Sequence, residues 1–158
     1  MNETMKDVYV VLHNVHAVSK VIETAQVVYG LGFPNFIVSK AEGSAAQTGI
    51  PESNRLAMKM KGSFATLPDL RDVLEMLAVE SPIMIVSPVL SKERADISGI
   101  GERIREGERI VIAFTGSNSS FSRKEMDMGE CFSLEVKVDI GPAGSAAILL
   151  HGINSALS

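Results

Sequence analysis

Three features of the chain predict an α/β fold with a parallel sheet flanked by helices. Strand-like and helix-like segments alternate along nearly its whole length, the pattern of helices crossing over a sheet. Val8–Leu12 and Ile110–Phe114 are unbroken apolar runs, as strands covered on both faces require. Small-residue loops at Thr115–Ser120 and Asp139–Ser145 each follow a strand-like segment and lead into a helix.

Val8–Leu12 is the first strand. Val18, Val21, Ile22, Ala25, Val28 and Tyr29 then keep helical spacing on one face, and Gly30 and Gly32 end that helix before Pro34. Phe36–Val38 is a second strand, and Ala41–Gly49 is a loop of small residues. Pro51 opens a helix toward Lys61. A short strand, Ser63–Ala65, precedes Thr66, expected to cap a helix whose apolar face is Leu70, Val73, Leu74 and Leu77. Pro82–Val86 is a strand, and Ser87–Ile100 shows no clear period. After the strand Ile110–Phe114, Ser122 caps a short helix to Met128. Phe132–Val138 alternates apolar and polar residues as an edge strand does, and Ala146–Leu157 is a final helix, apolar nearly all round.

Length and composition set limits. The 158 residues suggest one domain, 1–158, without linkers or repeats. Hydrophobic residues at 46% and charged residues at 22% are ordinary for a soluble globular protein. A net charge of −4 argues against broad, non-specific gripping of DNA or RNA, but not against docking on one structured RNA. Cys131 is the lone cysteine, so no disulfide forms within the chain, which fits a reducing cytoplasm. The polar, acidic start is unlike a signal peptide, and no apolar run is long enough to span a bilayer.

Chemistry is expected where loops leave the carboxyl ends of strands. Thr115, Gly116 and Ser117 open a loop in which small side chains let the backbone approach a ligand closely, although a plain turn would look the same. Ile140, Gly141, Ser145 and Ala146 form a second such loop, whose plain reading is a helix entry capped by Ser145. His13 and His16 have a spacing compatible with a shared metal, but no carboxylate or cysteine at obvious spacing completes a site, so no metal is expected. Asn14 reads as a helix cap and Glu23 as an edge residue of the first helix. Ser98–Ile104 has the glycine spacing of a DNA-binding hairpin, but its flanks are short and acidic.

Taken in order, these segments resemble the SpoU-like branch of the SPOUT RNA methyltransferases, in the form of archaeal single-domain proteins. Asn14, Ser19, Thr24 and Gly30 match the first motif, with Glu23 at the place of the family's catalytic arginine. Gly116 matches the first glycine of the second motif, and Asn118 stands at its glutamate. Val136–Leu150 resembles a shortened third motif, with Ser145 as its remnant, and Ile83–Leu90 resembles the strand whose end lines the cofactor pocket. The resemblance implies a C-terminal trefoil knot holding S-adenosylmethionine and a homodimer packed through the first and last helices. It implies methyl transfer to a structured RNA such as tRNA or rRNA, with ribose 2′-oxygen as one acceptor. DNA and membranes would not be partners. Cofactor contacts would come from Ser87, Pro88, Thr115, Gly116, Ser117, Ile140, Gly141, Ser145 and Ala146. Asn14 and Glu23 would serve the chemistry, with Arg123 (or Arg55) supplying the missing positive charge. The alternative is a SPOUT domain that binds the cofactor or RNA without catalysis.

Overall fold

The computed structural model describes residues 3–158 and shows a six-stranded sheet in the order β3-β2-β1-β5-β4-β6. The strands are β1 (Val8–Val15), β2 (Asn35–Ala41), β3 (Ser63–Leu67), β4 (Ile83–Ile85), β5 (Ile110–Thr115) and β6 (Glu130–Phe132). Every pairing is parallel. The helices are α1 (Val18–Gly30), α2 (Ile50–Met60), α3 (Leu70–Leu77), α4 (Ile97–Arg105), α5 (Arg123–Met126) and α6 (Pro142–Leu157).

The apolar runs explain the layering. Successive strand residues point to opposite faces, so an unbroken run feeds two cores. Val8, Val10 and Leu12 of β1, with Ile110, Ile112 and Phe114 of β5, pack under α1, α2, α4 and α6. Val11, Val111, Ala113 and Met84 face the other way, against Leu70, Val73, Leu74 and Leu77 of α3 and against Phe121. The parallel α/β class is therefore as expected. No helix among the described residues is long and apolar enough to cross a membrane.

Several local expectations are corrected. The helix capped by Asp96 over Ile97–Arg105 lies partly in the stretch that showed no period. Its interior carries Gly99 and Gly101, which weaken the sequence signal, and packing of Ile100 and Ile104 supplies what propensity lacks. Asp69, not Thr66, caps α3. The segment Ala45–Gly49 is a π-helical turn leading directly into α2. The edge strand expected over Phe132–Val138 ends at Phe132. Its partner β4 has only three residues, so little ladder is available beyond them. Finally, α6 starts at Pro142 rather than Ala146, behind Gly141 at φ +84.

The final helix needs neighbours on several sides and finds them in α1, α4 and β5. Ala146, Leu149, Leu150 and Ile153 are fully buried there, while Ile148 remains exposed. The segment after β4 also holds the chain that leaves β6. Val86 N donates to Phe132 O at 2.8 Å, Ser133 N to Glu93 O at 2.9 Å, and Ala95 N to Ser133 O at 3.0 Å.

Candidate functional site

A cavity of about 260 Å³ opens at the carboxyl ends of β4, β5 and β6, beside the start of α6. Ser87, Pro88, Thr115, Ile140, Gly141 and Ser145 all line it. Apolar surface comes from Ile85, Phe114, Leu134 and Val136. Around it Val89, Leu90, Val138 and Ile140 are exposed apolar residues. Strand topology creates this place: β5 lies between β1 and β4, and β6 lies beyond β4, so the loops leaving β4, β5 and β6 converge.

The loop after β5 is fixed by its own hydroxyls. Ser117 N donates to Thr115 Oγ1 at 3.0 Å, and Ser119 N donates to Ser117 Oγ at 3.1 Å. Lys20 of α1 reaches across to donate to Gly116 O at 2.9 Å and Asn118 Oδ1 at 3.3 Å. Ser120 differs. It takes φ +69, lines the cavity, and its buried hydroxyl has no hydrogen-bond partner among the described residues. A buried polar group without a partner costs about 1–3 kcal/mol. A bound ligand able to accept or donate there would remove that cost.

Other expected site residues lie elsewhere. Gly116 is outside the cavity lining and packs on β1: a Cβ there would come within 2.7 Å of Val15 Cβ and 3.0 Å of Asn14 O. Ser117 is occupied with the loop's internal hydrogen bonds, and Ala146 is buried in the helix-side core. Asn14 does not cap α1; it sits within β1 at φ +59 and is half-buried. Glu23 is exposed on α1 and Arg123 is exposed at the first position of α5. None of these three lines the cavity.

A second constellation lies at the end of β1 on the opposite face. His13 is fully buried, and its Nδ1 is 2.7 Å from Ser39 Oγ on the neighbouring strand. Its Nε2 is 2.5 Å from Glu125 Oε2 and 3.9 Å from Asp69 Oδ1. Phe121 stacks on the imidazole, with ring centroids 6.1 Å apart and planes 12° apart. Both carboxylates also serve helix starts: Asp69 Oδ1 accepts from Leu70 N, and Glu125 Oε1 accepts from Ser122 N in a capping box. Burial pushes the Glu125 carboxyl up, but the Ser122 hydrogen bonds and the His13 charge outweigh it and leave the group below its ordinary value. Sequence spacing pairs His13 with His16, which is exposed, whereas Glu125 lies 112 residues away. The one available signal is a histidine inside an apolar strand run.

Comparison with known sequences decides kinship. Residues 43–152 match the family described as RecB-family nuclease (DUF2122). The chain belongs to that family. A candidate type II restriction enzyme of Aeropyrum pernix is 34% identical over 146 residues, covering 92% of this chain and 91% of that protein. Another, of Methanocaldococcus jannaschii, is 29% identical over 147 residues, covering 93% and 96%.

Comparison of folds gives a different set of neighbours for this DUF2122 chain. A probable methyltransferase of Bordetella pertussis superposes with a TM-score of 0.76 at 12% identity, covering 99% of this chain and 97% of the other. The SpoU methyltransferase AviRb of Streptomyces viridochromogenes gives 0.72 at 9% identity, covering 95% of this chain and 59% of AviRb. AviRb bound to AdoMet gives 0.67 at 10% identity, covering 93% and 59%. At such identities the likeness establishes a shared fold alone.

The expected membership of the SpoU-like RNA methyltransferases is thereby corrected. The chain has their fold, but its sequence kinship is with DUF2122. The physical reason is that a parallel sheet itself demands much of the resemblance: small-residue loops after strands and an apolar closing helix. The positions that carry chemistry in that resemblance, Glu23 and Asn118, are where the sequence departs from it.

Proposed function

We propose that this protein binds S-adenosylmethionine in the cavity at the ends of β4, β5 and β6 and methylates a structured RNA. The observation that carries this reading is the cavity itself, with its orphan Ser120 hydroxyl, in a fold shared with an AdoMet-bound methyltransferase. The lining suits such a cofactor: Ile85, Leu134 and Ile140 offer apolar surface to a base, and Ser87, Thr115 and Ser120 offer polar contacts. When bound, the cofactor supplies an electrophilic methyl group.

The chain's own residues have separable tasks. Lys20 holds the β5 loop in place, and Ser120 provides a hydroxyl for the ligand. Glu23 lies three residues beyond Lys20, on the same side of α1, and is exposed to an incoming substrate. We assign it to removing the acceptor's proton, with Asn14 and Arg123 positioning the acceptor. Ribose 2′-oxygen is one such acceptor.

The reading extends to the assembly. Hydrogen bonds between Val86, Glu93 and Ala95 and the chain at Phe132–Ser133 support threading of the C-terminal segment through the loop after β4, as a trefoil knot. Val27, Leu31, Ala147 and Ile148 line a shallow apolar groove between α1 and α6, which suits a homodimer.

Calorimetric titration with S-adenosylmethionine and S-adenosylhomocysteine tests the reading. Saturable binding near one per chain is expected, and no binding of either by folded protein rejects it. Binding without methylation of any RNA would identify a cofactor-binding domain that has no transferase activity.

A second reading, hydrolysis of nucleic-acid phosphodiesters, is favoured by the nuclease description of the family and the names of its relatives. Cleavage of plasmid DNA or RNA in the presence of Mg²⁺ or Mn²⁺ would support it.

A further inference from the structure

We propose that His13, Asp69 and Glu125 form a binding site for a divalent transition-metal cation, of the Zn²⁺ or Mn²⁺ kind. The site lies at the end of β1, on the face opposite α1 and α6. The proposal requires neither methyl transfer nor phosphodiester hydrolysis.

One imidazole nitrogen and one oxygen from each carboxylate all lie within 4.8 Å of one another. They come from three separate parts of the chain: β1, the cap of α3, and α5. Metal–ligand bonds of about 2.0–2.2 Å place neighbouring ligand atoms roughly 3–3.5 Å apart. The His13–Asp69 distance of 3.9 Å is slightly wide and the His13–Glu125 distance of 2.5 Å is narrow. Binding an ion would require the Glu125 and Asp69 side chains to rotate, Asp69 while Leu70 N still donates to its Oδ1. Residues with nearby ion-pair partners often show such contacts, so the charge balance matters. Two carboxylates face one imidazole, leaving an excess of negative charge that the start of α3 offsets only in part. A dication neutralises it.

The surrounding contacts orient each ligand. Ser39 Oγ engages Nδ1 and leaves Nε2 directed at the carboxylates. Phe121 holds the ring plane. Ser122 N and Leu70 N each fix one carboxylate oxygen. Such outer contacts set the tautomer and ring orientation of metal-binding histidines. The Asp69 side chain is 55% exposed against 0% for His13 and 14% for Glu125, so an ion would enter from the Asp69 side and keep water there. Imidazole in the ligand set favours Zn²⁺ over Mg²⁺ or Ca²⁺, and the two carboxylates also suit Mn²⁺.

The test titrates the EDTA-treated full chain with ZnCl₂ and with MnCl₂ by calorimetry. One ion per chain is expected for at least one metal. Asp69→Asn and Glu125→Gln both retain the capping ability of the original residue. Each should weaken metal binding by at least about tenfold while circular dichroism and S-adenosylmethionine binding stay as in the parent. Absence of saturable binding by either metal overturns the site. So does metal binding that survives both substitutions, because the ion would then sit elsewhere.

Discussion

A single glycine shows how a motif position acquires a different meaning in three dimensions. Gly116 opens the loop after β5, where a ligand contact is the natural reading. In the fold it is pressed against Val15 and the Asn14 carbonyl. Gly116→Val should therefore destabilise the protein by about 1–3 kcal/mol through overpacking, measured by urea denaturation; an unchanged midpoint would show that the β1 contact yields easily. Ser120 predicts effects of opposite sign. Ser120→Ala removes an orphan hydroxyl, so the free protein should be no less stable, yet S-adenosylmethionine should bind more weakly. Equal affinity in the variant would remove Ser120 from the ligand site. Glu125 gives a pH dependence. Its carboxyl is held below its ordinary value in the folded protein, so its contribution is present above the unfolded value. That contribution is lost as pH falls through the folded value. As pH falls below the ordinary glutamate value the parent should lose more stability than Glu125→Gln, and parallel losses would contradict the assignment.

Among elements, the contact between α1 and the β5 loop links the helix layer to the cavity. Lys20 carries it through Gly116 O and Asn118 Oδ1. Lys20→Met keeps the aliphatic stem but releases the loop. Because the group is partly exposed, a loss of about 0.5–1.5 kcal/mol in ligand affinity is expected, read as a roughly two- to thirteenfold weaker Kd by calorimetry. Unaltered affinity would show that the loop is held without the lysine. The long, strongly patterned elements β1, α1, α3 and β5 were legible because burial repeats at the period of their secondary structure. Shorter β4, α5 and β6 have too few residues for a period to define their limits. The helix α4 was obscured by its two glycines and stands on packing against α6.

For the whole molecule, the groove between α1 and α6 predicts association. Ile148, which lines it, is 44% exposed. Sedimentation should show a dimer for the parent and a monomer for Ile148→Glu, since a buried charge without a partner opposes the interface. A monomeric parent would reject the groove as an interface. Fold and kinship diverge at this scale: the architecture is shared with SpoU methyltransferases, whereas sequence relatives carry restriction-enzyme names. Hydrophobic patterning can be preserved while polar residues change, so fold resemblance does not transmit an activity.

By itself the sequence determined the alternation of strands and helices, the apolar runs of β1 and β5 and the small-residue loop Thr115–Ser120. These are local properties, set by side-chain period and by residues that tolerate tight turns. Only the tertiary structure placed β5 between β1 and β4 and brought Ser87, Thr115 and Ser145 around one cavity. It likewise joined His13 to Ser39, Asp69 and Glu125. Contacts across such separations depend on strand order and helix packing, and no spacing along the chain encodes them directly.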